Sequence, residues 1–162
     1  MKISERKLHV EPRPEEEAFT LKVAFATHDR KNVDQHFGSC KSMLVYGVNV
    51  QEWHLLEAIE YAELPADTHN KLPARISDLT GCAAVFCNAC GASAIRQLLE
   101  KNIHPVKVTE GREIHELLVT IQDELAGEPG GWLARAIKRK EQEDEPEGKK
   151  AQRLSQLIDE EW

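Results

Sequence analysis

No run of apolar residues in this sequence approaches the roughly 20 that a membrane-crossing helix needs. The first residues also lack the apolar core of a signal peptide, so a cytoplasmic location is expected. Positive charge is short as well: 21 Lys and Arg stand against 28 Asp and Glu, a formal net charge of −7. A general nucleic-acid binder needs a basic face to neutralise phosphates, and that class is set aside. Cysteine is scarce, with 4 in 162 residues. Cys40, Cys82, Cys87 and Cys90 are better read as thiols than as a disulfide framework. Also missing are a phosphate-loop glycine pattern, a nucleophile elbow and a paired-carboxylate arrangement, so an autonomous enzyme has no support.

What is there is a globular composition, 41% hydrophobic and 30% charged, in a length that fits one domain with appendages. The chain is organised around residues 21–47. The apolar runs Leu21 to Ala26 and Met43 to Val48 read as two strands. Between them lies a polar loop of about fifteen residues, long enough that loops of its kind are usually functional or disordered. It carries His28, Asp29, Asp34, His36, Gly38 and Cys40, which favours function.

Residues 1–20 are mostly charged and broken by proline, and read as a flexible lead-in. After the second strand, Asn49-Val50-Gln51 offers a turn and Trp53 to Tyr61 a third strand. Leu72, Ile76 and Leu79 follow at helical spacing, with Pro73 early in the helix and Gly81 as its stop. Ala83 to Cys87 reads as a buried strand, and Ser93 to Asn102 as a helix with Ile95, Leu98 and Leu99 inward. His104 to Val108 is another strand, with Pro105 where a missing donor is tolerated. Ile114, Leu117, Leu118, Ile121 and Leu125 make an amphipathic helix ending at Gly127. Strands alternating with helices predict an α/β domain over 21–127, with a mixed sheet covered on both faces. From residue 128 the composition shifts. Residues 128–162 read as a charged tail, partly helical or disordered, with Leu154, Leu157, Ile158 and Trp162 as a docking stripe for a partner.

Two constellations could carry chemistry. In the first, His28, Asp34, His36 and Cys40 supply imidazole and thiol, the ligands that borderline and soft metals accept. Gly38 beside them permits close backbone approach to a bulky ligand. The alternative is that Asp34 and His36 only hydrogen-bond backbone in a turn, with Phe37 as a core anchor. The second is Cys87-Asn88-Ala89-Cys90-Gly91-Ala92-Ser93, between a buried strand and a helix. Amides at a helix start favour an anion, and thiols there are stabilised as thiolates. The alternatives are that Cys87 is a buried strand residue with only Cys90 accessible, or that the pair is a redox dithiol.

Val23-Ala-Phe-Ala-Thr27, Val33-Asp-Gln-His-Phe-Gly38, Cys82 to Ser93 and Pro105-Val-Lys-Val108 together resemble the dinitrogenase iron–molybdenum cofactor biosynthesis family. The resemblance covers roughly residues 20–127. It implies a three-layer α/β/α sandwich with a mixed five-stranded sheet, similar in outline to ribonuclease H. It implies a carrier rather than an enzyme: a nitrogen-fixation accessory protein that transiently binds the iron–sulfur precursor NifB-co. The implied partners are NifB, which makes that precursor, and the scaffold NifEN, which receives it; a monomer is expected. The family's motif histidine falls on His36, with Asp34 and Gly38 beside it. His36 and Cys90 are then the expected metal ligands, and Cys87, Gly91 and Ser93 line the same cofactor site. The competing class is a non-carrier interaction or regulatory protein of nitrogenase assembly.

Overall fold

The computed structural model describes residues 5–9, 21–61 and 72–143. In chain order the first elements are β1 (Glu5–His9), β2 (Leu21–Thr27), β3 (Asn32–Val33), β4 (Ser42–Val48) and β5 (Trp53–Tyr61). They are followed by α1 (Leu72–Ser77), β6 (Cys82–Cys87), α2 (Ala92–Glu100), β7 (His104–Lys107), β8 (Arg112–Glu113), α3 (Ile114–Ala126) and α4 (Gly131–Glu143). The main sheet has the order β1-β5-β4-β2-β6-β7, while β3 and β8 form a separate two-stranded ribbon. β2 pairs antiparallel with β4 and parallel with β6. The five strands expected of the mixed sheet are all present.

Period-two alternation explains how one strand serves two layers. Val23 and Phe25 of β2 belong to one buried cluster, with Ile114, Leu117, Leu118 and Ile121 of α3 and Leu133 of α4. Ala24 and Ala26 belong to the other, with Ile76 of α1 and Ala94 and Leu98 of α2. A strand covered on both faces has no polar side, and β2 reads as a continuous apolar run for that reason. On the α3/α4 side, Phe25 stacks on Phe86 with ring centroids 5.0 Å apart and meets Tyr46 edge-on at 5.7 Å. The result is the expected α/β/α sandwich. No described helix is long and apolar enough to cross a membrane.

Three expectations are corrected. Within residues 1–20, read as a flexible lead-in, Glu5–His9 pairs antiparallel with β5 and adds a sixth strand at the sheet edge. The outer side of β5 would otherwise present unpaired backbone groups. On α2, Ile95 and Leu99 face outward, 37% and 50% exposed, and the buried positions are Ala94 and Leu98. The small Ala94 takes the row next to the sheet, which turns Ile95 and Leu99 away from it.

The third correction concerns the boundary at residue 127. Leu133 is fully buried in the α3/α4-side core, with Trp132 and Ile137 packed against it. Trp132 meets Phe86 edge-on at 6.0 Å. Positions 132, 133, 136 and 137 form one apolar stripe, which covers sheet that α3 alone leaves open. Pro129 and Gly130 connect α3 directly to α4, whose first residue, Gly131, sits at φ 56°. The domain therefore runs through α4. The stripe Leu154, Leu157, Ile158 and Trp162 lies outside the described residues.

Candidate functional site

The loop after β2 is built by its own polar side chains. Asp29 Oδ1 accepts from the amides of Lys31 and Asn32, both at 2.8 Å, and Oδ2 from the Asn32 side-chain amide at 2.8 Å. Thr27 Oγ1 donates to Asp29 Oδ1 at 3.3 Å and accepts from the Arg30 amide at 2.9 Å. Arg30 sits in the left-handed region at φ 68° and pairs with Glu60 of β5. The hydrogen bonds from the Asn32 side chain and from the Asn32 and Lys31 amides pull the Asp29 carboxyl from 3.8 down to about 2. Asp29 organises the loop, and the site expectation did not name it. Its signal was the Asp-x-x-Asn spacing of an Asx turn.

A lowered folded pKa stabilises the folded state while the carboxylate is ionised, and that contribution is lost as pH falls through the folded value. The Asp29 share should therefore be complete above about pH 4 and fade toward about pH 2. Asp29→Asn should remove this part of the acid dependence in thermal melts between pH 2 and 5. An identical pH profile in the variant would deny Asp29 the role.

Further along, Asp34 Oδ1 accepts from the His28 amide at 2.8 Å, which closes the loop on itself. Phe37 is fully buried on the α1/α2 side, within a single 3-10 turn, Phe37–Ser39. His36 immediately before it is exposed. Cys40 turns the other way: it is 1% exposed, and Arg75 Nη1 donates to its sulfur at 2.9 Å and to its carbonyl at 2.7 Å. Burial pushes the Cys40 thiol up to about 11, against the pull of Arg75. The arrangement thus splits the first constellation. His36 is presented outward, Asp34 is engaged with the loop backbone, and Cys40 faces the core.

The second constellation begins at Cys87, the fully buried last residue of β6. Cys90, three residues on, is half-buried, and the two thiols act on each other electrostatically. Interaction with the Cys90 thiol, and then burial, pushes Cys87 up, while the same interaction pulls Cys90 down, so Cys90 ionises the more readily of the two. Gly91 caps α2 without a side-chain bond, and Ser93 Oγ accepts from Gln97 at 3.0 Å. A Cβ at Gly38 or Gly91 would meet no atom within 4 Å, so the packing of the chain itself does not demand glycine at either. In the apo protein Cys90 should alkylate well ahead of Cys40, Cys82 and Cys87, because thiolate fraction and exposure both favour it. Mass spectrometry of briefly alkylated protein checks this order, and equal labelling of Cys87 would contradict it.

The two constellations meet. The Phe37 amide donates to Ala89 O at 2.8 Å, and the Asn88 amide to Gln35 O at 2.9 Å. The Asn88 side-chain amide also donates to Val33 O at 2.9 Å and Val108 O at 3.2 Å. His36 and Cys90 thus lie on two loops stitched together at the carboxyl ends of β2 and β6. Open α/β sheets place their ligands at that position, where the strand order changes direction. The stitching role of Asn88 has no local signal in the sequence, since its partners come from distant segments. Among the described residues no group of three or more His, Cys, Asp or Glu side chains is placed to hold a metal ion. What the junction offers is a sparse donor set: one imidazole, one thiol of lowered pKa, and the amides that open α2.

Comparison with known proteins bears on this junction. The family model for the dinitrogenase iron-molybdenum cofactor domain matches residues 20–124. The protein NifX of Azotobacter vinelandii is 50% identical over 126 residues, covering 77% of this chain and 80% of that protein. NifX of Klebsiella pneumoniae is 30% identical over 145 residues, covering 89% and 85% respectively. NifY of Azotobacter vinelandii is 25% identical over 118 residues, covering 73% of this chain but 48% of its own length. The matched span contains every strand from β2 onward and both loops of the junction. The chain belongs to the dinitrogenase iron–molybdenum cofactor family, and with it to nitrogenase cofactor biosynthesis.

Proposed function

We propose that this protein is a non-catalytic carrier that binds the iron–sulfur precursor NifB-co and moves it from NifB to NifEN. The observation that carries the reading is the hydrogen-bonded junction of the β2 and β6 loops, which puts the loop segments carrying His36 and Cys90 next to each other, Phe37 bonded to Ala89 and Asn88 to Gln35, just ahead of α2. An iron–sulfide cluster is anionic, and soft or borderline iron accepts thiolate and imidazole. Backbone amides of Gly91 to Ser93 at the opening of α2 suit the cluster's negative charge. Two protein ligands hold such a cargo and leave it exchangeable, whereas a full ligand set would trap it.

The test is anaerobic mixing of the full chain with isolated NifB-co, followed by gel filtration and iron analysis. The reading expects iron to migrate with the protein and then to pass to added NifEN. Iron eluting apart from the protein would favour a regulatory interaction protein. Stable co-elution without transfer would make it a storage protein. A dithiol role for Cys87 and Cys90 is the reading to adopt if cargo never binds and the pair cycles to a disulfide under mild oxidant.

A further inference from the structure

A pocket of about 210 Å3 opens at the end of the sheet opposite the loop junction. It lies between the first residue of β7, His104, the turn residue Asn102 that follows α2, and Trp132, Arg135 and Arg139 on α4. Ala83 near the start of β6 lines it too, whereas the cargo junction begins at Cys87. Four residues of strand, roughly 13 Å at about 3.3 Å per residue, separate the two.

We propose that this pocket binds a small organic anion carrying two acidic groups, each a carboxylate or a phosphate. Arg135 and Arg139 stand one helical turn apart on the same side of α4, where like charges repel. Neither has an acidic partner among the described residues; Arg139 donates only to the carbonyl of Asn102, at 3.3 Å. Shortage of acid is not the reason, because the chain has 28 Asp and Glu against 21 Lys and Arg. Two guanidinium forks over one cavity match a ligand with two oxyanion groups, since each fork can grip one in bidentate fashion.

The wall of the pocket supplies the rest. The His104 ring lies nearly parallel to the Trp132 ring, 13° between planes and 6.4 Å between centroids, and gives the site a flat, partly apolar side. Burial and the nearby Arg135 both lower the His104 pKa, which favours the uncharged ring with one donor and one acceptor. The size selects further. A cavity below the roughly 300 Å3 where drug-sized sites begin suits a molecule of a few carbons rather than a nucleotide.

The experiment is a titration of the full-length protein with succinate, phosphoglycolate and acetate at matched ionic strength, following the Trp132 indole N–H by NMR. The expected result is a saturable shift with at least one diacid, with an affinity tenfold or more above acetate. Comparing succinate with phosphoglycolate decides whether carboxylate or phosphate is preferred. Arg135→Gln and Arg139→Gln should each weaken binding tenfold or more, while Arg112→Gln, exposed on β8, leaves it unchanged. Should a glutamine variant fail to fold, Arg135→Lys keeps the charge but loses the fork, and should still weaken binding. Acetate binding as well as the diacids, no saturable shift with any diacid, or full affinity in folded arginine variants would overturn the proposal.

Discussion

Ending the chain after Gly127 is expected to cost this protein much of its stability. The cut removes Leu133, which is fully buried, and Ala136, which is 8% exposed, and it strips Trp132 from Phe86. Burying a large apolar side chain contributes about 1.5–3 kcal/mol, so Leu133 with the partly buried Trp132 and Ile137 contributes several. Whole domains have only about 5–15 kcal/mol to lose. The fragment should melt roughly 10 °C or more below the full chain, or fail to fold. The point variant Leu133→Ala should cost about 2–5 kcal/mol by chemical denaturation, which isolates the packing from the chain length. A 1–127 fragment with the melting temperature of the full protein would mean that α4 only rests on the sheet.

His36→Ala is expected to lower precursor retention at least tenfold with little effect on folding. The side chain is exposed, with no hydrogen bond capping the turn that follows it. Surface substitutions of that kind usually move stability by no more than about 0.5 kcal/mol. If His36 is a ligand of the cargo, as proposed, its loss acts on the cargo alone, so the two readouts separate. His28→Ala is the matched control, because His28 is exposed on the same loop and enters its structure only through its backbone amide. Retention unchanged in His36→Ala would remove the imidazole from the ligand set, whatever the fate of Cys90.

How legible all this was in the sequence varies by element, for physical reasons. β2, β4 and β6 were readable because their apolar runs follow from local requirements: a strand buried on both faces has no polar side. The inward face of α2 was not. Ile95, Leu98 and Leu99 are equally apolar, and which row meets the sheet depends on how closely the helix approaches, which Ala94 decides. The packing of α4 is hidden in the sequence by the charged composition that begins at residue 128 and by the breakers Pro129, Gly130 and Gly131 ahead of it. Nothing local to Leu133 reveals that Phe86 and its neighbours would otherwise lie uncovered.

The candidate site divides in the same way. The residue types were legible: an imidazole beside Gly38, and a thiol at the start of a helix. Their meeting was not, because it rests on the hydrogen bonds from Phe37 to Ala89 and from Asn88 to Gln35, which join remote segments. Cys40 looked like a ligand because it shares the loop with His36. Its side chain turns inward to Arg75, a contact set by the position of α1. The roles of Asp29 and Asn88 follow from backbone geometry that composition does not express.

The central claim is that the β2 and β6 loops form one cargo site. It is tested most directly by footprinting His36 and Cys90 in the same sample, with and without bound NifB-co. Brief anaerobic treatment with a histidine-acylating reagent and a thiol alkylator, read by mass spectrometry, reports both residues together. If the loops form one site, cargo protects His36 and Cys90 in parallel, while His54 and His115 react at unchanged rates. If Cys90 labels equally fast with and without cargo, the two loops do not form one cargo site, whether His36 is protected alone or not at all.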